Sequence, residues 1–485
     1  MKTNKNRFRW LNLALMLITL PGWVAEAQKP TPANNTTSIR YTLTAPANTN
    51  WMAKDFDDSA WTKTEDAASI PEAVPKDGEV WIRIHCDLPW ELINNTYAKI
   101  KRTEPVQFYI NGKQCNHGET GSVNGWRLMS LTPGREDQPG VNVYALHGKG
   151  PTGLQMVHEP WVKGSFPEIK PQALIEEKLR DANVIRGGDG NYYLTGTFAG
   201  TEGDGLLFYD YKSGKNWKNN DGVKLYRSAD LKHWTDLGWV WTFKNNATWC
   251  KEPLKSNDPL TNGKQGIFAP KIHYLNGKYY IVYGCNWSMP NHDWGVGIAV
   301  ADKPEGPYRE TSPDKPICPG YDAQIFRDDD GQLYLIRNNG CLAKLKPDLS
   351  GLEGQARVVT PENYPFVNFE GAAMIKRGDT YYVMGADILL RPGGGGTMGC
   401  TMVASSKNIF GPYGKRYLLL SDGGGHTRPF QDENGKWWTA LWKWSGDFSH
   451  RFGITGIDFA ADGTIYPTGE VIQKLNNNQS HLKNK

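Results

Sequence analysis

DANVIRGGDGNYYLTGT, residues 181–197, carries the pattern that decides the fold. An aspartate opens it, an apolar segment follows, and a turn glycine precedes the aromatic pair Tyr192-Tyr193. Four later segments repeat the turn glycine and the apolar or aromatic pair: GKYYI (277–281), GQLYL (331–335), GDTYYV (378–383) and GKWWT (435–439). Twelve positions before Tyr193, Tyr280, Tyr334, Tyr382 and Trp438 stand Asp181, Phe268, Asp322, Glu370 and His426. The aromatic pairs recur at intervals of 87, 54, 48 and 56 residues, and periods near 50 indicate propeller blades, each a small antiparallel sheet. The turns read as Asp189-Gly190, Asn276-Gly277, Asp330-Gly331, Gly378-Asp379 and Asn434-Gly435. Four of these are Asn-Gly or Asp-Gly, whose positive φ suits a type I′ hairpin. Four residues after each of the five special positions comes an apolar side chain (Ile185, Ile272, Phe326, Met374, Phe430), expected to pack blade on blade. The sequence thus predicts a five-bladed β-propeller over residues 177–475, with little helix. The first strand of each blade lines the channel, so the five special side chains are expected to converge at one mouth. A ring of acids near an axis repels itself, which argues for chemistry rather than for stability.

Upstream, residues 38–163 read as short strands and turns. Val80, Ile82 and Ile84 alternate with Trp81, Arg83 and His85, and Asn111-Gly112 makes a tight turn after Val106, Phe108 and Ile110. This predicts an all-β sandwich preceding the propeller. Residues 28–37 read as a linker, and 164–176, with Pro167 and Pro171, connect the two domains. Residues 1–27 read as a signal peptide: Lys2, Lys5, Arg7 and Arg9 precede the apolar run Trp10–Leu20, and Ala25-Glu26-Ala27 fits a cleavage site. The chain is therefore expected to be secreted or periplasmic, with no membrane insertion. Net charge is +4 with signs scattered and no basic run interleaved with aromatics, which argues against nucleic acid as partner. The seven cysteines include no CxxC pair and no zinc spacing, and their pairing is not legible. Aromatics make up 12% of the chain, enough for β cores and for sugar-stacking platforms.

Hydrolysis of a glycosidic bond needs one carboxyl group to protonate the leaving oxygen and a second to activate water or attack the sugar. A third acid nearby raises the pKa of the donor by like-charge repulsion. Asp181, Asp322 and Glu370 supply all three. The segments around them, DANVIRGGDGNYYLTGT (181–197), FAPKIHYLNGKYYIVYG (268–284), DAQIFRDDDGQLYLI (322–336), EGAAMIKRGDTYYVMG (370–385) and GGGHTRPFQDENGKWW (423–438), resemble glycoside hydrolase family 43. Gly-Pro-Tyr at 306–308 and 411–413 adds to the resemblance, which spans about 300 residues. It implies that Asp181 is the general base, that Asp322 tunes pKa and orients, and that Glu370 is the general acid of an inverting reaction.

Two departures from the family pattern, Ala182 and Phe268, bear on pocket shape rather than on the acid set. The resemblance implies no cofactor for chemistry, and it places His426 near the axis, sometimes beside a structural calcium. Arg428 reads as a partner for a carboxylate or a sugar hydroxyl. Trp287, His292 and Trp294 are expected in a loop that lines the pocket or packs between blades, and Gly393–Gly396 reads as a flexible loop. In the N-terminal region, FDDSAW (56–61), VWIRIHCDLP (80–89), VQFYING (106–112) and NVYALHG (142–148) resemble galactose-binding-like jelly rolls, which implies either packing or sugar binding. The function expected is an exo-glycosidase acting on plant or algal glycans. Arabinofuranose or xylose is expected first, and galactose-type sugars next. A carbohydrate-binding propeller without activity and a retaining propeller enzyme stay open as alternatives.

Overall fold

The structure is a computed structural model that describes residues 36–88, 96–115, 119–123, 126–130, 140–158, 169–198, 220–252, 266–289, 292–364, 366–390, 397–420, 423–443 and 450–474. The expected signal peptide, Gly393–Gly396 and the linker up to residue 35 lie outside these. Strand dominates. Helix among the described residues is limited to one turn each at Ala67–Ser69 and Ile70–Ala73. No helix there is long and apolar enough to cross a membrane.

The first ten strands, from Thr36–Thr42 to Gly153–His158, form a six-stranded and a four-stranded sheet. Alternation sets the inner faces: Val80, Ile82, Ile84, Phe108 and Leu146 of one sheet meet Ala98, Ile100 and Leu154 of the other in one buried core. FDDSAW has a local structural task. Asp58 accepts a hydrogen bond from Nε of the fully buried Arg83 at 2.8 Å, and His85 Nε2 lies 2.6 Å from the same oxygen.

Five antiparallel sheets follow, each beginning with its innermost strand: Leu179–Arg186, Ile267–Leu275, Gln324–Arg327, Glu370–Arg377 and Phe430–Gln431. Apolar clusters join blade 1 to 2, 2 to 3, 3 to 4 and 4 to 5. A further cluster joins blade 5 to blade 1, where Val184, Tyr192 and Leu194 meet Phe430, Trp438 and Trp442 and the ring closes. Ile185, Ile272, Phe326, Met374 and Phe430 all sit in these interfaces, as their spacing predicts.

The turns divide into two kinds. In blades 2 and 4 the paired strands are joined by two residues, Asn276-Gly277 and Gly378-Asp379. Asn276 and Gly277 both have positive φ, the type I′ geometry, whereas in blade 4 only Gly378 does. In blades 1, 3 and 5 the type I′ expectation is corrected. The last ladder pairs are Arg186↔Tyr192, Arg327↔Leu333 and Gln431↔Trp437, which leaves a longer turn. Gly190, Gly331 and Gly435 alone take positive φ there, and an aspartate side chain caps each turn: Asp189 and Asp330, just before the glycine, accept from the Asn191 and Gln332 N–H, and Asp432 accepts from the Asn434 N–H.

This difference changes which residues are equivalent. By ladder register, the strand residue opposite the aromatic is Ile185, His273, Phe326, Ile375 or Phe430. Four residues before these stand Asp181, Ala269, Asp322, Gly371 and His426, and all five have positive φ. Phe268 and Glu370 therefore sit one residue ahead of the true equivalents. In blades 2 and 4 the offset is eleven, because a turn three residues shorter joins two strands that each run one residue further.

Candidate active site

Each blade turns its chain into the channel through one left-handed residue, and only short side chains or glycine adopt that conformation readily. At Asp181, Asp322 and His426 this turn aims the side chain at the axis. At Gly371 a Cβ would lie 2.6 Å from the His426 ring, so the position is glycine and the acid moves to Glu370. Asp181, Asp322 and His426 are buried, while the side chain of Glu370 keeps 24% of its surface exposed.

His426 stands among the three acids. Its Nδ1 lies 3.5 Å from Asp181 Oδ1 and 3.4 Å from Asp322 Oδ2, at angles that make ion pairs rather than hydrogen bonds. Its Nε2 lies 3.3 Å from Glu370 Oε1. Burial alone would strip the proton from this imidazole, but Asp322, Asp181 and Glu370 outweigh it and raise its pKa to about 9. The ring is an imidazolium at neutral pH.

The two buried aspartates differ. Burial pushes both up. For Asp181 it is outweighed by His426, Arg180, the Thr197 hydroxyl and Lys271, so this carboxyl lies below the ordinary range. The Thr197 hydroxyl donates to Asp181 Oδ2 at 2.6 Å and itself accepts from the Ala269 N–H at 2.8 Å, which fixes the direction of its proton. Among the described residues, Asp322 has only the Gly371 N–H, at 3.1 Å, as hydrogen-bond donor. Burial, then Glu370 and Asp181, win over His426 and Lys271 and raise it to about 6.

Asp322, Glu370 and His426 offer donor atoms within 4.8 Å of one another, close enough to hold a metal ion. Calcium takes six to eight oxygen ligands. This set supplies two carboxylates and a nitrogen, and each imidazole nitrogen already faces a carboxylate. The donors fit the imidazolium they surround better than a calcium ion.

The other expected residues fall as follows. Phe268 is half-buried and packs edge-on against Trp294, with ring centroids 4.9 Å apart. Trp294 in turn lies 5.8 Å from Tyr321, the neighbour of Asp322. The three form an aromatic wall beside the acids. The expected loop at 287–294 is corrected: Trp287 and His292 lie on the strands Lys278–Met289 and His292–Ala301, where the ladder runs on through Asn286↔Trp294 and Met289↔His292. The side chains of Trp287 and His292 lie outside the described residues. Arg428 makes no ion pair with a carboxylate among the described residues, and its buried Nε has no hydrogen-bond partner there. His426 already occupies the place between the acids. Arg428 instead faces Lys271 and His273.

Residues 171–465 match the family described as glycosyl hydrolases family 43, over more than half of the chain. The chain belongs to this family. Among curated relatives, the chain is similar to a xylan 1,3-beta-xylosidase of a Vibrio species, 25% identical over 48% of this chain and 40% of that protein. A non-reducing end alpha-L-arabinofuranosidase of Bacteroides ovatus is 27% identical over 53% of this chain and 44% of that protein. A beta-D-galactofuranosidase of Aspergillus niger is 38% identical over 28% of this chain and 44% of that protein. The chain thus spans less than half the length of the curated relatives it matches. Among solved structures, a family 43 protein of Bacillus licheniformis aligns with a TM-score of 0.47 at 19% identity, over 64% of this chain and 61% of that chain.

Two residues that complete the cluster escape the sequence pattern. Thr197 is an ordinary strand residue until the fold sets it against Asp181. Lys271 left a signal: it is the one formally charged residue in the otherwise apolar strand IFAPKIHYL, and a lysine is rarely fully buried without a partner.

Proposed function

We propose that the protein is an exported exo-glycosidase that removes terminal sugars, arabinofuranose or xylose first and galactose-type sugars next, with inversion at the anomeric carbon. The observation that carries this reading is the placement of His426 between Asp181 and Glu370. Asp181 meets one nitrogen of the ring at 3.5 Å and Glu370 meets the other at 3.3 Å, which favours two carboxyl groups set well apart. An inverting pair needs a gap of about 6.5–9.5 Å to admit a water, against about 5–5.5 Å for a retaining pair. Asp181, held ionised and aimed by Thr197, accepts the proton of that water. Glu370, the most exposed of the three acids, protonates the leaving oxygen at the channel mouth. Asp322 orients the strand of Glu370 through the Gly371 N–H. Phe268, Trp294 and Tyr321, set at steep angles to one another, offer ring faces on which a sugar can stack. The relatives named for xylose, arabinofuranose and galactofuranose support the sugar range, and the basic and apolar start of the chain supports export.

The test is a panel of aryl xylosides, arabinofuranosides and galactofuranosides, with the first-formed product anomer followed by NMR. Inverted product from at least one sugar is expected. Retained configuration would overturn the assignment of Asp181 as base. Glycan binding without turnover on any member would favour the inactive, carbohydrate-binding propeller instead.

A further inference from the structure

We infer that Lys271 is a positioning residue that holds Asp181 in its working state and braces the strand carrying Glu370, as a buried cation reaching across the channel. The inference rests on the reading of Asp181 as the base.

Lys271 lies on the innermost strand of blade 2 and is 0% exposed. Its Nζ donates to the Ala372 carbonyl at 3.1 Å. Ala372 belongs to blade 4, and blade 3 stands between, so the side chain spans the channel rather than an interface. Ala372 follows Gly371, whose N–H binds Asp322, and lies two residues after Glu370. The ammonium therefore holds the start of the Glu370 strand from one side while Asp322 holds it from the other.

The charge also has a use. Burying an ammonium costs more than one backbone hydrogen bond returns. An apolar side chain of the same length would fill the space more stably. What a lysine adds is a positive charge facing Asp181 from blade 1 and Asp322 from blade 3. Arg428 from blade 5 opposes that charge, His273 on its own strand is held neutral by burial, Arg428 and Lys271, and blade 4 presents the Ala372 carbonyl. Burial draws the ammonium down to about 8 against the pull of the two aspartates, so it keeps its proton at neutral pH. With His426, Lys271 sets a second cation against the two buried aspartates.

The experiment compares full-length wild type, Lys271→Met, Lys271→Gln, Lys271→Arg and Asp181→Asn by kcat/KM against pH on an aryl glycoside that wild type hydrolyses. Methionine keeps the length and removes both charge and hydrogen bond. Glutamine keeps a donor for the Ala372 carbonyl without the charge. In both, the acidic limb, which reports ionisation of the base, is expected to move toward higher pH, since the charge that favours the Asp181 carboxylate is gone. Activity then falls on the limb and recovers on the plateau. Lys271→Arg, which keeps the charge, is expected to leave the limb in place. A limb that stays put in folded Lys271→Gln or Lys271→Met, with only the melting temperature lowered, overturns the inference and leaves Lys271 a packing residue. If Lys271→Met does not fold, Lys271→Gln is read by the same limb. An inactive Asp181→Asn beside an unmoved limb overturns the role of Lys271 alone. A fully active Asp181→Asn overturns the reading of Asp181 beneath it.

Discussion

Asp322 and His426 illustrate how a site's chemistry sets its own stability. The carboxyl of Asp322 is raised from 3.8 to about 6 by burial and by its acidic neighbours, so the folded state prefers it protonated. Its contribution to stability is present below pH 3.8 and is lost as pH rises through 6. Asp322→Asn is therefore expected to raise the melting temperature at pH 7 and to leave it unchanged near pH 3, while lowering turnover; thermal melts at the two pH values check this. His426 has the same sign over a higher window. Its pKa rises from 6.5 to about 9, so its stabilising charge is full below pH 6.5 and lost as pH passes 9. Glu370 is tested by leaving group. Glu370→Ala is expected to slow hydrolysis of disaccharides by about 10²–10⁴-fold, the range for general acids, and to spare nitrophenyl glycosides, whose leaving groups need little protonation. Equal losses on both would remove Glu370 from the role of acid.

At the scale of one strand, blade 4 shows what the residue pattern conveys and where it stops. The aromatic pairs, the turn glycines and the apolar positions between blades are local features, and they mark the blades because each sheet must present the same faces to its neighbours. The constant offset of twelve holds structurally only in blades 1, 3 and 5. In blades 2 and 4 a turn shorter by three residues and two strands each longer by one nearly cancel, and counting along the chain cannot separate these changes. Glu370 is still found because its side chain is long enough to reach His426 from one residue ahead. Thr197 meets Asp181 through a strand pairing inside blade 1, the role of Lys271 depends on a contact with blade 4, and the repeated pattern encodes neither contact. The displacement makes Gly371 a test. Its φ of +70° and the His426 ring 2.6 Å from any Cβ leave no room for a side chain. Gly371→Ala is expected to abolish turnover and to cost more than the roughly 1–2 kcal/mol that left-handed strain alone costs an alanine. Gly277→Ala is the control. Gly277 has a φ of +78° with no atom within 4 Å of the added Cβ, so only the strain is felt and kcat should be unchanged. Urea unfolding and kcat measured on both variants separate strain from collision.

Across the whole molecule, the sandwich and the propeller meet through an aromatic contact that leads to the acid. Tyr97 of the sandwich lies edge-on to Tyr364, with ring centroids 5.7 Å apart, and both are almost fully buried with Phe366. The Arg416 guanidinium lies 3.3 Å from the centre of the Tyr364 ring and is paired at 2.6 Å with the buried Asp387. Phe369, the residue before Glu370, packs against the same cluster. The sandwich thus supports the blade that carries the acid, whether or not it also binds glycan. Tyr97→Ala and Tyr364→Ala are each expected to cost about 3 kcal/mol, as for a buried aromatic truncated to alanine. Because the rings touch, the double variant should cost less than the sum of the two, by roughly 0.5–3 kcal/mol. A double-mutant cycle by denaturant unfolding measures that coupling. Costs that simply add would mean the two rings are stabilised separately, and the sandwich would then give the propeller no support through this contact. A coupled loss, together with a fall in kcat for Tyr97→Ala, would instead tie the placement of Glu370 to a residue outside the propeller.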